Sequence, residues 1–208
     1  MGLRERKAKK TRKRILNKAL QLFNRQGYEQ TTMEAVAEAA EVSRSTLFRY
    51  FPSKDLILLD TFSSDDTDFS ASFSRHLVNL PVEEALAKAI LEFAKWQDTN
   101  AEEILLIRSL IDQAPSVRAK LWDIHYQHMR NLNTRLAETL HLPEDDLQVV
   151  LSARLVISTI NSTVADQWRD NSGKYSSVEI AKQVLSMFRE HKVLIPRDAS
   201  LLQVRHHE

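Results

Sequence analysis

The chain has 208 residues and nearly balanced charge, with 29 Lys and Arg against 28 Asp and Glu. This length suits one domain of ordinary size, or a small domain joined to a larger one. The absence of cysteine excludes a disulfide framework, a thiolate metal site and a cysteine nucleophile. The apolar runs are too short to cross a bilayer, and no apolar signal region follows the basic N-terminus. We therefore expect a cytoplasmic protein without a membrane partner.

Charge is unevenly distributed along the chain. Residues 1–55 carry 13 basic and 6 acidic side chains, whereas residues 56–208 carry 16 basic and 22 acidic ones. A basic head on an acidic body indicates that the N-terminal end binds a polyanion. Glycine and proline are scarce, at 3 and 5 residues. Because sheet proteins use both residues in tight turns, we expect an all-α fold.

The first quarter of the sequence predicts four helices in close succession. A basic segment precedes a helix whose apolar stripe covers residues 15–23 and which ends before Gly27. Thr31 or Thr32 is a suitable N-cap for a second, short helix from residue 33 to 40. Ser43 similarly begins a third helix over residues 44–50, which the proline at position 52 ends. A fourth helix follows a cap at residue 53.

The remaining sequence predicts longer helices in an acidic body. Residues 63–74 are polar and fit either a frayed helix continuation or a loop. The predicted helices that follow cover residues 82–98, 101–113, 116–140, 144–170 and 177–191. Residues from Pro196 onward resemble a tail. We expect about nine helices in total.

The third helix has the composition expected of a DNA-recognition helix. Two short helices that meet at a tight turn form a helix-turn-helix, whose second helix enters the major groove. Such a helix needs an apolar rear face, and Leu47 and Phe51 lie four residues apart on one side. The side chains predicted to face the groove are Arg44, Ser45, Phe48 and Arg49. For Phe48, a groove-facing and a partly buried position remain equally open.

Residues 11–59 resemble the N-terminal DNA-binding domain of the TetR/AcrR family of transcriptional regulators. The resemblance lies in "ILNKALQLFNRQGYEQTTMEAVAEAA" and in the "VSRSTLFRYFPSKDLIL" that follows. It implies an N-terminal three-helix DNA-binding domain at 1–52 and a larger helical ligand-binding and dimerisation domain at 53–195, before a tail at 196–208. In the turn, many members have glycine where this chain has Glu41. We therefore expect Glu41 either to take a left-handed conformation at some cost or to adopt a slightly different turn.

The resemblance also implies roles for individual residues and for partners. A homodimer would bind a pseudo-palindromic operator in double-stranded DNA and would be released by a small-molecule effector. Arg44, Ser45, Phe48 and Arg49 would contact base edges. The residues implied to contact phosphates are Thr32, Thr46, Tyr50 and Lys54, together with Lys9, Lys10, Arg12 and Lys13 of the basic segment.

The body offers candidates for an effector pocket and a dimer interface. The residues that we expect to line a pocket are Phe93, Trp96, Trp122, Tyr126 and Met129. The residues that we expect at a dimer interface are Val149, Ala153, Val156, Ile157, Ile160, Ile180, Val184 and Met187. The same patterns also fit an ordinary apolar core.

Other classes of function find weaker support in the sequence. His125 and His128 have helical spacing but no carboxylate completes a metal site nearby, and Asp65, Asp66 and Asp68 lack the remainder of a calcium loop. We expect no metal, no cofactor and no enzyme active site. Two alternatives remain open: a helical small-molecule carrier whose head has lost DNA binding, and a helical enzyme with an unrecognised site.

Overall fold

The computed structural model describes residues 2–63, 67–171 and 174–193, and all regular structure within those ranges is helical. The helices are α1 (Leu3–Gln26), α2 (Met33–Ala39), α3 (Arg44–Tyr50), α4 (Lys54–Leu58), α5 (Phe69–Leu77), α6 (Val82–Thr99), α7 (Ala101–Asp112), α8 (Pro115–Leu140), α9 (Leu147–Ser158), α10 (Ala165–Asp170) and α11 (Ser177–Arg189). A 3-10 turn, Asp60–Ser63, follows α4. The all-α prediction is confirmed, with ten helices in the described ranges because α9 and α10 are continuous.

Helices α1 to α4 form a compact head around one apolar centre. Helix α1 contributes Ile15, Ala19 and Phe23, each at most 1% exposed. Leu47 of α3 and Ile57 of α4 are fully buried against them. The side chains of Thr32, Ser43 and Ser53 accept a backbone N–H at the starts of α2, α3 and α4. These caps satisfy a free backbone N–H in each short helix and begin the helix at a fixed residue.

Helix α5 occupies part of the segment that the sequence left open between helix and loop. Phe69 and Phe73 lie four residues apart, and both are buried. The side chain of Asp68 accepts the backbone N–H of Ala71 and so caps the helix. Asp65, Asp66 and the tail at 196–208, including Pro196, lie outside the described residues.

The body is a bundle of α5 to α11, and its buried apolar side chains belong to the same cluster as those of the head. Helix α9 continues into α10 through a π-helical segment, Thr159–Val164, where the backbone takes one extra residue per turn. By length and composition this 24-residue helix is apolar enough to span a membrane, with a mean hydropathy of 1.3 over 18 residues. The apolar runs in the sequence are individually too short to cross a bilayer, but the complete helix is long and apolar enough. Core helices of folded proteins commonly meet the same criterion.

Candidate nucleic-acid interface

Helix α3 separates an inner apolar face from an outer polar face. Leu47 and Phe51 are fully buried, which fixes the helix on α1 and α2. Arg44, Ser45 and Arg49 point outward into solvent. Phe48 is 36% exposed, so its ring belongs to the outer face with one edge covered. The structure thus brings the four predicted base-contacting side chains to one accessible surface.

Among the described residues, the two arginines of α3 make only weak surface contacts. The guanidinium of Arg44 lies 3.2 Å from the carboxylate of Glu34 and 5.5 Å from the ring centre of Phe48. The guanidinium of Arg49 lies 5.6 Å from the ring centre of Tyr50. Exposed pairs of this kind contribute at most about 1 kcal/mol, so either guanidinium is released at little cost when it meets a base.

Two of the hydroxyl groups that are predicted to contact phosphates accept hydrogen bonds in the first turn of a helix. The Thr32 hydroxyl accepts the backbone N–H of Ala35 at 3.1 Å, which occupies a lone pair and not the hydroxyl proton. The Thr46 hydroxyl accepts a hydrogen bond from the Ser43 hydroxyl at 2.8 Å. Tyr50 is half-buried and packs on the core. These hydroxyls are therefore structurally fixed at the outer surface of the helix-turn-helix.

The turn between α2 and α3 places a glutamate in left-handed backbone conformation. Glu41 has a φ of 51°, and the next residue, Val42, donates its N–H to the carbonyl of Ala37 at 3.0 Å. A side chain at this φ costs roughly 1–2 kcal/mol relative to glycine. The sequence-based expectation that Glu41 must take a left-handed conformation or change the turn is therefore met in the first of these ways.

We expect Glu41→Gly to raise the melting temperature by about 2–4 °C, because removal of the strain outweighs the greater freedom of glycine in the unfolded chain. Glu41→Ala is the matched control, since it removes the same charge but keeps the strain. Thermal unfolding of both variants checks this. Equal melting temperatures for the glycine and alanine variants would contradict the strain argument.

The basic segment is helical, and its cations divide between two faces of α1. Lys9, Lys10 and Lys13 are exposed and lie on one face with Arg6 and Arg14. This face is turned away from the buried stripe. Its positive charge adds sequence-independent attraction to a polyanion.

Arg12 does not belong to that cationic face. Its Nε lies 2.8 Å from Oδ1 of Asp60 in the 3-10 turn, and its guanidinium lies 4.6 Å from the ring centre of Phe51. Arg12 precedes the buried Ile15 by three residues, so helical spacing turns it inward. The side chain ties α1 to the end of the head, and its contact with a phosphate stays a prediction.

Lys54 also has partners inside the protein. Its amine donates to the carbonyls of Tyr28 at 2.9 Å and Glu29 at 3.3 Å, and lies 4.5 Å from the ring centre of Tyr28. The amine therefore holds the loop after α1 to the start of α4. A phosphate contact would use only the remaining donor capacity of this side chain.

A polar chain joins the head to the body, and the sequence did not suggest it. The Tyr28 hydroxyl and the Lys120 amine both donate to the carboxylate of Asp55. Burial by itself raises the pKa of Asp55, but these hydrogen bonds and the charges of Lys120 and Lys54 outweigh it and give a net lowering. Burial, followed by the hydrogen bond to Asp55, raises the pKa of Tyr28, which therefore remains a donor. Asp55 is thus the ionised centre of a link between α4 and α8.

The five predicted pocket residues do not line one cavity. Trp122, Tyr126 and Met129 line a cavity of about 330 Å³ between α8 and the π-helical segment. Phe93 and Trp96, with ring centres 5.3 Å apart, line another cavity of about 500 Å³ between α5 and α6. In the parts of the chain that are described, no group of three or more potential ligands forms a metal site.

Most of the predicted dimer residues lie in the core of the chain itself. The buried ones are Val149, Ala153, Val156, Ile157, Ile160 and Ile180, whereas Val184 is half-buried and Met187 is 44% exposed. Helix α9 is apolar on nearly every side, so its sequence does not distinguish the inner face. The outer face carries Leu147, Leu151 and Leu155, which are 74%, 62% and 53% exposed. We call these three residues the leucine row.

The comparisons with known proteins agree with this geometry. The family model described as "Bacterial regulatory proteins, tetR family" matches residues 15–61. The regulator TcmR of Streptomyces glaucescens is 48% identical over 71 residues, which are 34% of this chain and 31% of that protein. The chain thus matches about a third of the length of this curated relative.

Solved structures extend the similarity in fold to the body. FadR from Bacillus halodurans superposes with a TM-score of 0.61 at 20% identity, over 95% of this chain and 97% of that one. FadR from Bacillus subtilis, solved with stearoyl-CoA, gives a TM-score of 0.60 at 21% identity, over 84% and 95%. At these identities the likeness is one of fold. Residues 15–61 thus match the DNA-binding domain of the TetR family of bacterial regulatory proteins, and the solved structures show that the fold of the whole chain is similar to that of such regulators.

Proposed function

We propose that the protein is a ligand-responsive transcriptional regulator that binds a pseudo-palindromic operator as a homodimer and represses by occupying it. The observation that carries this proposal is the outer face of α3, where Arg44, Ser45, Phe48 and Arg49 are exposed on a helix fixed by Leu47. Arginine binds guanine through two hydrogen bonds, and an exposed ring edge suits a thymine methyl group. The proposed roles are those of a DNA-binding protein in the cytoplasm and not of an enzyme.

Base reading by α3 needs a second copy of the chain. One short recognition helix reaches only a few base pairs, and a two-fold axis doubles the sequence that is read. The leucine row supports a surface for the second copy, because three leucines at four-residue spacing on one exposed helix face are costly to leave in water. We assign the dimer contact to this row and to the neighbouring exposed side of α11, which carries Met187.

We expect Leu151→Glu to raise the dissociation constant of the dimer roughly a hundredfold, because two buried leucines, each worth at least about 1.5 kcal/mol, are lost per dimer. Gln148→Glu is the control, since it adds the same charge to α9 outside the leucine row. Sedimentation velocity across a concentration series measures the change. A Leu151→Glu protein that dimerises as tightly as the control would contradict the assignment.

Effector response is proposed to act through α8. This helix lines the 330 Å³ cavity with Trp122 and Tyr126, and it also carries Lys120, which binds Asp55 of α4. A ligand that favours another position of α8 would thereby change the position of the head and the spacing of the two α3 helices. The ligand and the operator then weaken each other's binding by the same factor. The acyl-CoA complex of the Bacillus subtilis relative supports a small-molecule site in this fold.

Selection of bound duplexes from a random library tests the proposed function. We expect the purified protein to enrich an inverted repeat and to bind it far more tightly than a scrambled duplex of equal length. The affinity for both duplexes should fall as salt rises, since lysines of α1 displace counterions. Enrichment of no sequence, with ligand binding intact, would instead support a small-molecule carrier without DNA function.

A further inference from the structure

Arg108 of α7 is a partly buried cation without a direct anionic partner. Its guanidinium lies 4.9 Å from the ring centre of Phe62, in the 3-10 turn. Within the described ranges it makes no hydrogen bond and no ion pair within 4 Å. Burial is the main cause that lowers the pKa of Arg108. The protein therefore keeps a desolvated positive charge at a free-energy cost.

The carboxylates nearest to Arg108 are engaged elsewhere. Asp112 and Asp166 both influence its charge, but each lies within 4 Å of Arg169, at 3.8 and 3.6 Å. Arg169 also lies 3.4 Å from Asp170. Arg169, whose side chain is 35% exposed, thus lies close to all three carboxylates, whereas Arg108 is left with its five N–H donors.

Two histidines of α8 add further donors beside Arg108. His125 and His128 are half-buried and, among the described residues, make no hydrogen bond. Burial, followed by the charges of Arg108 and His128, lowers the pKa of His125 to about 3. Burial also lowers the pKa of His128. Both rings are therefore neutral at pH 7, and each offers one N–H donor without adding charge.

An apolar space adjoins this cluster of donors. His125 lines the 330 Å³ cavity together with Trp122, Met129 and Ile157. The Trp122 ring meets the imidazole edge to face, with centres 6.0 Å apart. His125 is the member of the cluster that lines this cavity. Apolar and aromatic side chains form most of the wall, and its other polar lining residues are Arg154, Ser158, Asn161 and Ser162. A ligand that fits both parts is an acid with an apolar body.

We propose that Arg108, with His125 and His128, forms an anion-binding site between α7 and α8 that holds the acid group of an amphiphilic effector. This inference rests on the proposed function and names the chemical class of its ligand. The site also has a direct route to the head. Phe62, beneath Arg108, belongs to the same turn as Asp60, which binds Arg12 of α1. An acid that draws Arg108 away from Phe62 changes the contacts of that turn.

Calorimetric titration with decanoate and with decanamide tests the site, because the two probes share one apolar chain and differ in charge. We expect the wild-type protein to bind decanoate at least roughly ten times more tightly than decanamide. Arg108→Met should weaken decanoate roughly ten- to a hundredfold, the value of a hydrogen-bonded ion contact. Its affinity for decanamide should stay within about twofold. Arg118→Met, an exposed arginine of α8, is the matched control and should change neither affinity.

A measurement without any probe separates a ligand site from a structural arginine. Arg108→Met keeps apolar packing on Phe62 but removes the desolvated charge, so we expect its melting temperature to rise by about 2–4 °C. A fall below that of Arg118→Met would show that Arg108 stabilises the fold and would overturn the proposal. Equal wild-type affinity for decanoate and decanamide, or no decanoate binding, would also overturn it.

Binding of the selected operator without probe distinguishes this inference from the proposed function. Operator binding together with failed acid recognition would overturn the anion site alone. If Arg108→Met loses the preference for decanoate and the wild-type protein has no affinity for any operator, the anion site is supported and the proposed regulatory function is overturned.

Discussion

Arg49→Ala is expected to weaken binding of the dimer to the selected operator at least roughly thirtyfold, because one bidentate base contact worth about 1–3 kcal/mol is lost in each of the two half-sites. The side chain is exposed on α3, and its only described neighbour is the ring of Tyr50 at 5.6 Å. Its removal therefore leaves the head folded and takes away a contact with DNA. Affinity for a scrambled duplex should fall much less. Titration against both duplexes at two salt concentrations measures the difference.

Lys13→Ala is the control for Arg49→Ala, because it removes a positive charge from the outer face of α1 and not from α3. We expect it to weaken binding to both duplexes by a similar factor and to reduce the salt dependence by about one charge per subunit. Losses of equal size for operator and scrambled duplex in Arg49→Ala would exclude base reading by this residue.

Asp55→Asn is expected to lower the free energy of unfolding by about 1.5–3 kcal/mol at pH 7, the usual value for hydrogen bonds to a charged group. The side chain of Asp55 is 18% exposed and accepts from Tyr28 and from Lys120. Asparagine keeps the shape but removes the charge that both donors stabilise. The loss should be partial, because Lys120 is 48% exposed and water replaces its partner.

The pH dependence of this loss has a defined sign. The pKa of Asp55 is lower in the folded chain than its ordinary value, so folding favours the ionised form. The resulting stability is present above the unfolded-state pKa, near 4, and is lost as pH falls through the lower folded-state pKa. The difference between wild type and Asp55→Asn should therefore shrink in acid. Denaturant unfolding at pH 7 and pH 3 checks this, with Asp123→Asn on the exposed face of α8 as control. A constant difference would contradict the argument.

The head was predictable because its signals are local. Each short helix begins at a capping side chain and ends at a break, and the buried positions follow helical spacing within a few residues. The outer face of α3 could be predicted from Leu47 and Phe51 alone, because the side chains opposite the buried face of a helix must point to solvent. The left-handed turn at Glu41 was foreseeable because its geometry limits which conformations any side chain can adopt.

Features that depend on distant parts of the chain were not predictable in the same way. Arg12 binds a residue 48 positions away, and Asp55 binds one 65 positions away. For Arg12, its spacing from Ile15 was an available signal that the cluster of positive charges concealed. In α9, apolar side chains surround the helix, so only the packed structure separates the buried Val149 from the exposed leucine row. The cluster around Arg108 likewise requires the contact between α7 and α8.

The central claim is that two α3 helices, held by one dimer, read the same face of one duplex. Insertion of about five base pairs between the half-sites of the selected operator rotates one half-site by half a helical turn. If the claim holds, the affinity for this duplex falls to that for a scrambled sequence, while a substitution outside the half-sites has little effect. Undiminished affinity after the insertion would show that the two heads do not act together, and would contradict the account.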